Sequence, residues 1–246
     1  MPSRPLVPPA LALLACLLGL APAHATHVIL QADFDDEPLD QPIQTGGATV
    51  GEPVAVSSTI SAIVRAWPFP TPSLKINDDD LLDPGFVRFH FLDSDSTVDH
   101  GIVEISATLW FTNLEEYAIR VRERRANSRR FLDLAFGSSG IVVYKDQDTL
   151  TYQVIGTYEA GRPLSLVIRF DMDAATYSVR LDGTTLLADE PHGALPPYQG
   201  IGAVLFGMEA DDDPHGEFNL DDLVVTADET TPVAAVSWAA TKVRYR

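Results

Sequence analysis

From residue 26 to residue 226 the chain is built of short runs in which apolar and polar residues alternate, broken by turn residues. Leu164, Leu166, Ile168 and Phe170 fall on one face of an extended strand, and Tyr177, Val179 and Leu181 on one face of the next. The polar stretch Asp171-Met172-Asp173-Ala174-Ala175 separates them. Asp182-Gly183 follows, a two-residue hairpin signal, because glycine accepts the positive φ of a tight turn. Together they predict a three-stranded meander over residues 162–187.

The same period of two recurs upstream. Val103, Ile105, Ala107, Leu109 and Phe111 alternate with Glu104, Ser106, Thr108 and Trp110. Tyr117, Ile119 and Val121 alternate with Ala118, Arg120 and Arg122, and Leu132, Leu134 and Phe136 with Asp133 and Ala135. Residues 141–145, 151–157, 201–205 and 218–225 read as further strands. No stretch sustains the i, i+3, i+4, i+7 stripe of an amphipathic helix. Short strands with turn signals about every ten residues predict an all-β sandwich. Residues 50–64 and 73–77 read as strands set in longer loops. Trp67-Pro68-Phe69-Pro70-Thr71-Pro72 cannot be a central strand, because its prolines donate no ladder hydrogen bond. No internal repeat or linker interrupts residues 26–227, which are expected to form one domain.

The ends read differently. Arg4, an apolar run over residues 10–20 and the A-x-A sequence Ala23-His24-Ala25 predict a signal peptide over residues 1–25. That run is too short to span a bilayer, so no transmembrane segment is expected in the mature chain. The predicted location is secreted, periplasmic or cell-surface. Lipid anchoring through Cys16 is the alternative. Cys16 is the single cysteine, so a mature chain would hold no disulfide and depend on its core or on bound ions. Residues 228–246 read as a linker, Glu229-Thr230-Thr231-Pro232, followed by a tail. Its Trp238 and basic end resemble attachment tails of some secreted bacterial proteins.

Charge narrows the partners. Thirty-five acidic against seventeen basic residues give a formal charge of −18. Nucleic acid is excluded as the main partner, since phosphate binding needs a basic footprint. Within this acidic chain six arginines crowd between Arg120 and Arg130. They either offset the acidic surface or contact an anionic glycan.

Three segments carry a family resemblance: Phe170-Asp171 with Tyr177-Ser178-Val179 and Asp182-Gly183, the closing run from Glu217 through Asp221-Asp222 to Val225, and the opening run containing Asp33-Phe34-Asp35-Asp36. Over residues 28–227 the chain resembles the concanavalin A-like lectin and glucanase superfamily, including laminin G-like domains. The resemblance implies a jelly-roll β-sandwich of two curved antiparallel sheets, with the first strand beside the last. It implies no single function, because the superfamily holds lectins, carbohydrate-binding modules, hydrolases and lyases. It also implies a structural calcium where Asp33, Asp35 and Asp36 meet Asp221 or Asp222, since hard cations take several oxygen ligands. Asp93-Ser94-Asp95-Ser96-Thr97-Val98-Asp99 and Asp78-Asp79-Asp80 are weaker calcium candidates.

Catalytic motifs do not emerge. The Glu-x-Asp-x-x-Glu run of the glucanase branch is missing, and Glu104 has Ser106 and Thr108, not acids, as same-face neighbours. No G-x-S-x-G occurs, and the histidines are scattered. A lyase needs arginine, histidine and tyrosine around a uronate, and no strand motif gathers them. Sugar binding needs an aromatic platform with a few polar groups. Trp110, sharing a strand face with Thr108 and Glu104, and Trp67 in the stiff proline-rich loop are the candidates, with Tyr144 and Tyr158 behind them. The expected function is non-catalytic binding of a glycan or surface polysaccharide. The alternatives are a divergent glycoside hydrolase or polysaccharide lyase, and a structural or adhesive envelope protein without a sugar site.

Overall fold

A computed structural model of the chain describes residues 26–43, 52–78, 83–91, 97–123, 130–146, 149, 151–193, 200–209 and 216–228. The predicted signal segment with Cys16, residues 79–80, 93–96 and 211–215, and the tail beyond residue 228 lie outside them. The described elements are strands: β1 (Thr26–Ala32), β2 (Glu52–Val56), β3 (Ile60–Arg65), β4 (Ser73–Asp78), β5 (Gly85–His90), β6 (Ile102–Phe111), β7 (Tyr117–Arg122), β8 (Arg130–Phe136), β9 (Ile141–Lys145), β10 (Tyr152–Thr157), β11 (Pro163–Asp171), β12 (Thr176–Leu181), β13 (Thr184–Pro191), β14 (Ala203–Met208) and β15 (Glu217–Asp228).

They form two antiparallel sheets. The eight-stranded sheet runs β13-β12-β11-β6-β15-β4-β3, with β1 also paired to β15. The seven-stranded sheet runs β10-β9-β8-β7-β14-β5-β2. The first strand therefore lies beside the last, in a jelly-roll sandwich. The meander is present as β11, β12 and β13, and its hairpin carries φ of +49° at Asp182 and +76° at Gly183, the left-handed pair that a two-residue turn requires. The Asp182 carboxylate fixes that turn by accepting from the Ser165 amide at 2.8 Å and from Arg162 Nη1 at 2.6 Å.

The core lies between the sheets. Leu164, Leu166, Ile168 and Phe170 of β11 pack in it with the apolar set of β6, as the alternation predicts. Phe111 anchors one end, with ring centroids of Tyr117, Phe136 and Tyr158 4.6, 4.7 and 5.0 Å away. Such offset and edge contacts add about 0.5–1.5 kcal/mol per pair beyond simple burial. Tyr144 and Tyr158 are themselves buried, which corrects the expectation that they present a sugar-stacking face. β14 is buried along its whole length. Its core residues are Val204, Phe206 and Met208, while Ala203 and Leu205 share the opposite parity. Polar residues are missing from both faces, so alternation could not reveal its register.

Gly207 on β14 faces the backbone of β5. A Cβ there would lie 1.9 Å from the Gly85 carbonyl oxygen. We expect Gly207→Ala to lower stability by about 3 kcal/mol in urea unfolding, because the clash is with main chain. Gly161→Ala, at φ +78° in open space, should cost only about 1 kcal/mol.

Candidate functional site: an arginine-lined sheet face

On β5, β7, β8 and β14 the inner parity is taken by the core, so the other parity forms the outer face of the seven-stranded sheet. Strand register sets the pattern. Leu205 stands between Arg88 and Arg120, and Arg120 is paired with Asp133. One row along, Ala203 stands between His90 and Arg122, and Arg122 pairs with Arg130. The next row is small: Gly207 between Phe86 and Ala118, then Ala135. Four arginines are thereby brought together on one sheet face, with Leu205 and Phe86 packed among them.

Their charges are unevenly compensated. Asp133 is 1% exposed and accepts from Arg120 Nε at 3.0 Å through one oxygen and from Arg130 Nη1 through the other. Arg120 also donates to Glu209, and its guanidinium carbon lies 4.4 Å from the Phe86 ring centroid. The triad is self-consistent: a buried carboxylate is held by two cations, one of them stacked on an aromatic ring. Arg88 and Arg122 have no such partner among the described residues. The buried Nε of Arg122 finds no hydrogen-bond acceptor. Burial, then the neighbouring guanidiniums of Arg130 and Arg120, bring the Arg122 pKa down to about 10, with Asp133 only partly opposing them. Burial lowers Arg88 as well. Tyr152, on edge strand β10, is half exposed, with Lys145 Nζ 5.8 Å from its ring centroid. Burial and the nearby Asp133 and Glu209 raise its pKa. In a chain of charge −18, this face holds an excess of positive charge in partly desolvated positions. Such an arrangement favours an anion, because a bound carboxylate or sulfate relieves both repulsion and missing hydrogen bonds.

Arg120, Arg122 and Arg130 belong to the arginine cluster noted in the sequence, whereas the sugar-site candidates on β6 lie on the other sheet. Glu104, Thr108 and Trp110 do share one face of β6, pointing outward. Trp110 is flanked by Trp67 and Phe69 of the proline-rich loop, with centroids 6.1 and 6.2 Å away in edge-to-face geometry. Trp67 is 63% exposed and Phe69 is 8% exposed. Glu104 stands apart, roughly 20 Å along the strand from Trp110. It lines a separate shallow recess of about 300 Å³ with Arg169, Ser178, Arg180 and Asp189. Thr108 pairs with Asp221 across β6 and β15.

Of the expected calcium ligands, Asp221 is 3% exposed, and burial and the neighbouring Asp222 and Asp35 lift its pKa to about 6 against opposing hydrogen bonds from the Asp222 amide and Thr71. Asp33 instead accepts from Gln31 Nε2 at 3.2 Å. No ligand arrangement including Asp36 is found: among the described residues no three His, Cys, Asp or Glu side chains are placed to hold a metal. Arg88 and His90 escaped the sequence reading. The alternation of Val87 and Phe89 with Arg88 and His90 is the signal that could have found them.

Comparison with known proteins supports the fold. No family model and no curated protein matches the chain. Among solved structures, a sialidase superposes with a TM-score of 0.55 at 15% identity, over 72% of this chain. The chain spans 17% of that sialidase's length. A carbohydrate esterase from the Shiga toxin-encoding bacteriophage phi24B gives 0.53 at 8% identity, covering 83% of this chain and all of the esterase. The xylan-binding domain CBM22-1 from Paenibacillus barcinonensis Xyn10C gives 0.45 at 13% identity, over 85% of this chain and 99% of that domain. The fold is the concanavalin A-like jelly-roll sandwich, an architecture used by carbohydrate-active proteins.

Two stability experiments follow from the charges. Arg120→Gln removes one of the cations on a buried carboxylate and should cost about 3 kcal/mol in urea unfolding. Arg122→Gln removes an unpaired buried cation and should leave the midpoint unchanged or raise it. The folded pKa of Asp221 lies above the usual aspartate value, so the native state holds its proton more tightly. Its contribution to stability is therefore greatest below about pH 4 and is lost as pH rises to about 6. Asp221→Asn is expected to raise the unfolding free energy near neutral pH, by at most about 3 kcal/mol, and to change it little in acid, as urea unfolding at the two pH values would show.

Proposed function

We propose that this is an exported protein that binds an anionic glycan, such as a polyuronate or sulfated polysaccharide, on the arginine-lined outer face of the seven-stranded sheet. The observation that carries this reading is the pair Arg88 and Arg122. Both are partly desolvated, and neither forms an ion pair with a described residue. Partly buried cations without such partners fit a ligand that supplies the counter-charge. Phe86, whose ring lies close over Gly207 and beneath the Arg120 guanidinium, gives the face an apolar element beside its charges. The carbohydrate esterase and sialidase that share the fold support a glycan as the ligand class. Calcium enters the proposal only as a stabiliser near Asp221 and carries no part of the binding. A rise in melting temperature on adding calcium, lost in Asp221→Asn, would support it there.

A second reading is favoured by one observation. His90, Arg88 and Arg122 occupy one face, and Tyr152 of the edge strand β10 lies within electrostatic reach of Asp133, Arg120 and Arg130 of the same sheet, so the residue types a lyase uses to neutralise a uronate and move its proton all occur on this sheet. Asp133 and Glu209 are both engaged by Arg120, which makes a two-carboxylate hydrolase a poorer fit.

Binding and elimination separate in one experiment. Alginate, polygalacturonate and heparin are titrated by calorimetry, with neutral dextran as control. Affinity for at least one polyanion should fall steeply as salt rises. Arg88→Gln and Arg122→Gln should each weaken it by about tenfold, the loss of one charge-assisted contact, without lowering stability. Equal affinity for dextran, or mutants that bind as wild type, would overturn the proposal. New ultraviolet absorbance from an unsaturated uronate product would replace it with the lyase reading.

A further inference from the structure

The outer face of the eight-stranded sheet holds buried polar groups that no atom of the described residues satisfies. Asn219 on β15 stands between Lys75 on β4 and Trp110 on β6. It is fully buried, and neither its amide nitrogen nor its amide oxygen has a hydrogen-bond partner among the described residues. Ser73, at the first position of β4 and on the same face, is also fully buried with an unpartnered hydroxyl. Asp221 lies at the next outward position of β15. Its carboxylate accepts from Thr71 Oγ1 at 3.0 Å and from the Asp222 amide at 2.9 Å. The loop of residues 66–72 covers this seam by placing Phe69 and Trp67 against Trp110.

Leaving a buried polar atom unsatisfied costs about 1–3 kcal/mol, so an amide and a hydroxyl together point to an occupant. The donor and acceptor inventory restricts its chemistry. A cation would suit the oxygens but would face the Asn219 amide hydrogens. An anion would meet Asp221, with Asp222 and Asp35 close behind it. An apolar group would satisfy nothing. Neutral hydroxyl groups, each both donor and acceptor, suit the amide, the serine and the carboxylate at once. The walls are the rings of Trp110 and Phe69, and the exposed Trp67 stands at the rim. Aromatic faces beside an amide and a carboxylate form a fitting environment for a pyranose ring.

We propose that this seam is a second carbohydrate site, specific for an uncharged sugar and independent of the arginine face. Thr71 holds the place of a sugar hydroxyl on Asp221 in the unliganded protein. The sugar reaches Asn219 and Ser73 when the loop of residues 66–72 lifts, exchanging the Thr71 bond for its own. The two sites lie on opposite outer faces of the sandwich, so one molecule can join a charged polymer to a neutral one.

The test uses cellohexaose, xylohexaose and mannohexaose as probes, followed by calorimetry and tryptophan fluorescence on the full chain. At least one probe is expected to bind at millimolar or lower concentration and to change the fluorescence. Asn219→Leu and Trp67→Ala should each weaken it by about tenfold or more, with polyanion binding unchanged. Trp67 is exposed, so its variant remains informative where Asn219→Leu misfolds. Absence of binding by all three probes, or binding that Trp67→Ala leaves intact, overturns the proposal. If Asn219→Leu lowers the melting temperature and no sugar binds, the occupant is water and the site is structural. Loss of polyanion binding in arginine variants, with these results unchanged, separates the two faces.

Discussion

β15 must pair along one edge with two different strands, β4 over residues 217–220 and β1 over residues 223–228, while its other edge stays on β6. A continuous ladder cannot serve both neighbours, and the register to β6 shifts between Asp221 and Val224. Asp222 takes a φ of +50° at that break. The irregularity buries Asp221, turns Asp222 outward and gathers Asp35 nearby. It also lets the loop of residues 66–72 settle over the exposed end of the sheet through the Thr71 bond. The acid that resembles a calcium ligand and the polar seam beneath Trp110 both arise from this one partner change.

The seven-stranded sheet meets a different constraint. Its outer face carries guanidiniums on adjacent strands, which repel one another unless something intervenes. Asp133 resolves half of the problem by binding two of them from within the sheet. Leu205 and Ala203 space the remainder. Arg88 and Arg122 are left partly buried, without an ion pair among the described residues, in a protein whose overall charge would hold anions away. A site that attracts acid groups against the field of the whole molecule acts at short range, through hydrogen bonds more than through steering. That is consistent with recognition of a polymer whose acid groups recur along its length.

The two outer faces thus differ in kind. One carries a row of guanidiniums, partly buried against one another and against Asp133 and Phe86. The other is an aromatic and amide-lined seam closed by a loop. The core between them, centred on Phe111 and its ring neighbours, keeps both sheets fixed while each outer face takes its own chemistry. A jelly roll suits this division because alternate residues of every strand belong to one purpose or the other.

Much of the fold was legible in the chain itself. Alternation is a local property, so β6, β7, β8 and the β11–β13 meander, with its Asp182-Gly183 turn, could be read from residue order, as could the outward direction of Trp110, Arg120 and Arg122. Residues 201–205 read as a strand, but the register and inward parity of β14 could not be read, because both its faces are buried. Sheet order could not either, since antiparallel partners such as β5, β14 and β7 are far apart in sequence. For the same reason Arg88 joins Arg120 only after folding. Glu104 and Trp110 look like one site in a strand pattern, yet strand rise parts them: residues of β11, β12 and β13 surround Glu104, and the loop of residues 66–72 packs on Trp110. Sequence by itself determined which residues face out; only the tertiary structure decided which of them meet, because neighbours across a sheet are set by pairing register and not by distance along the chain.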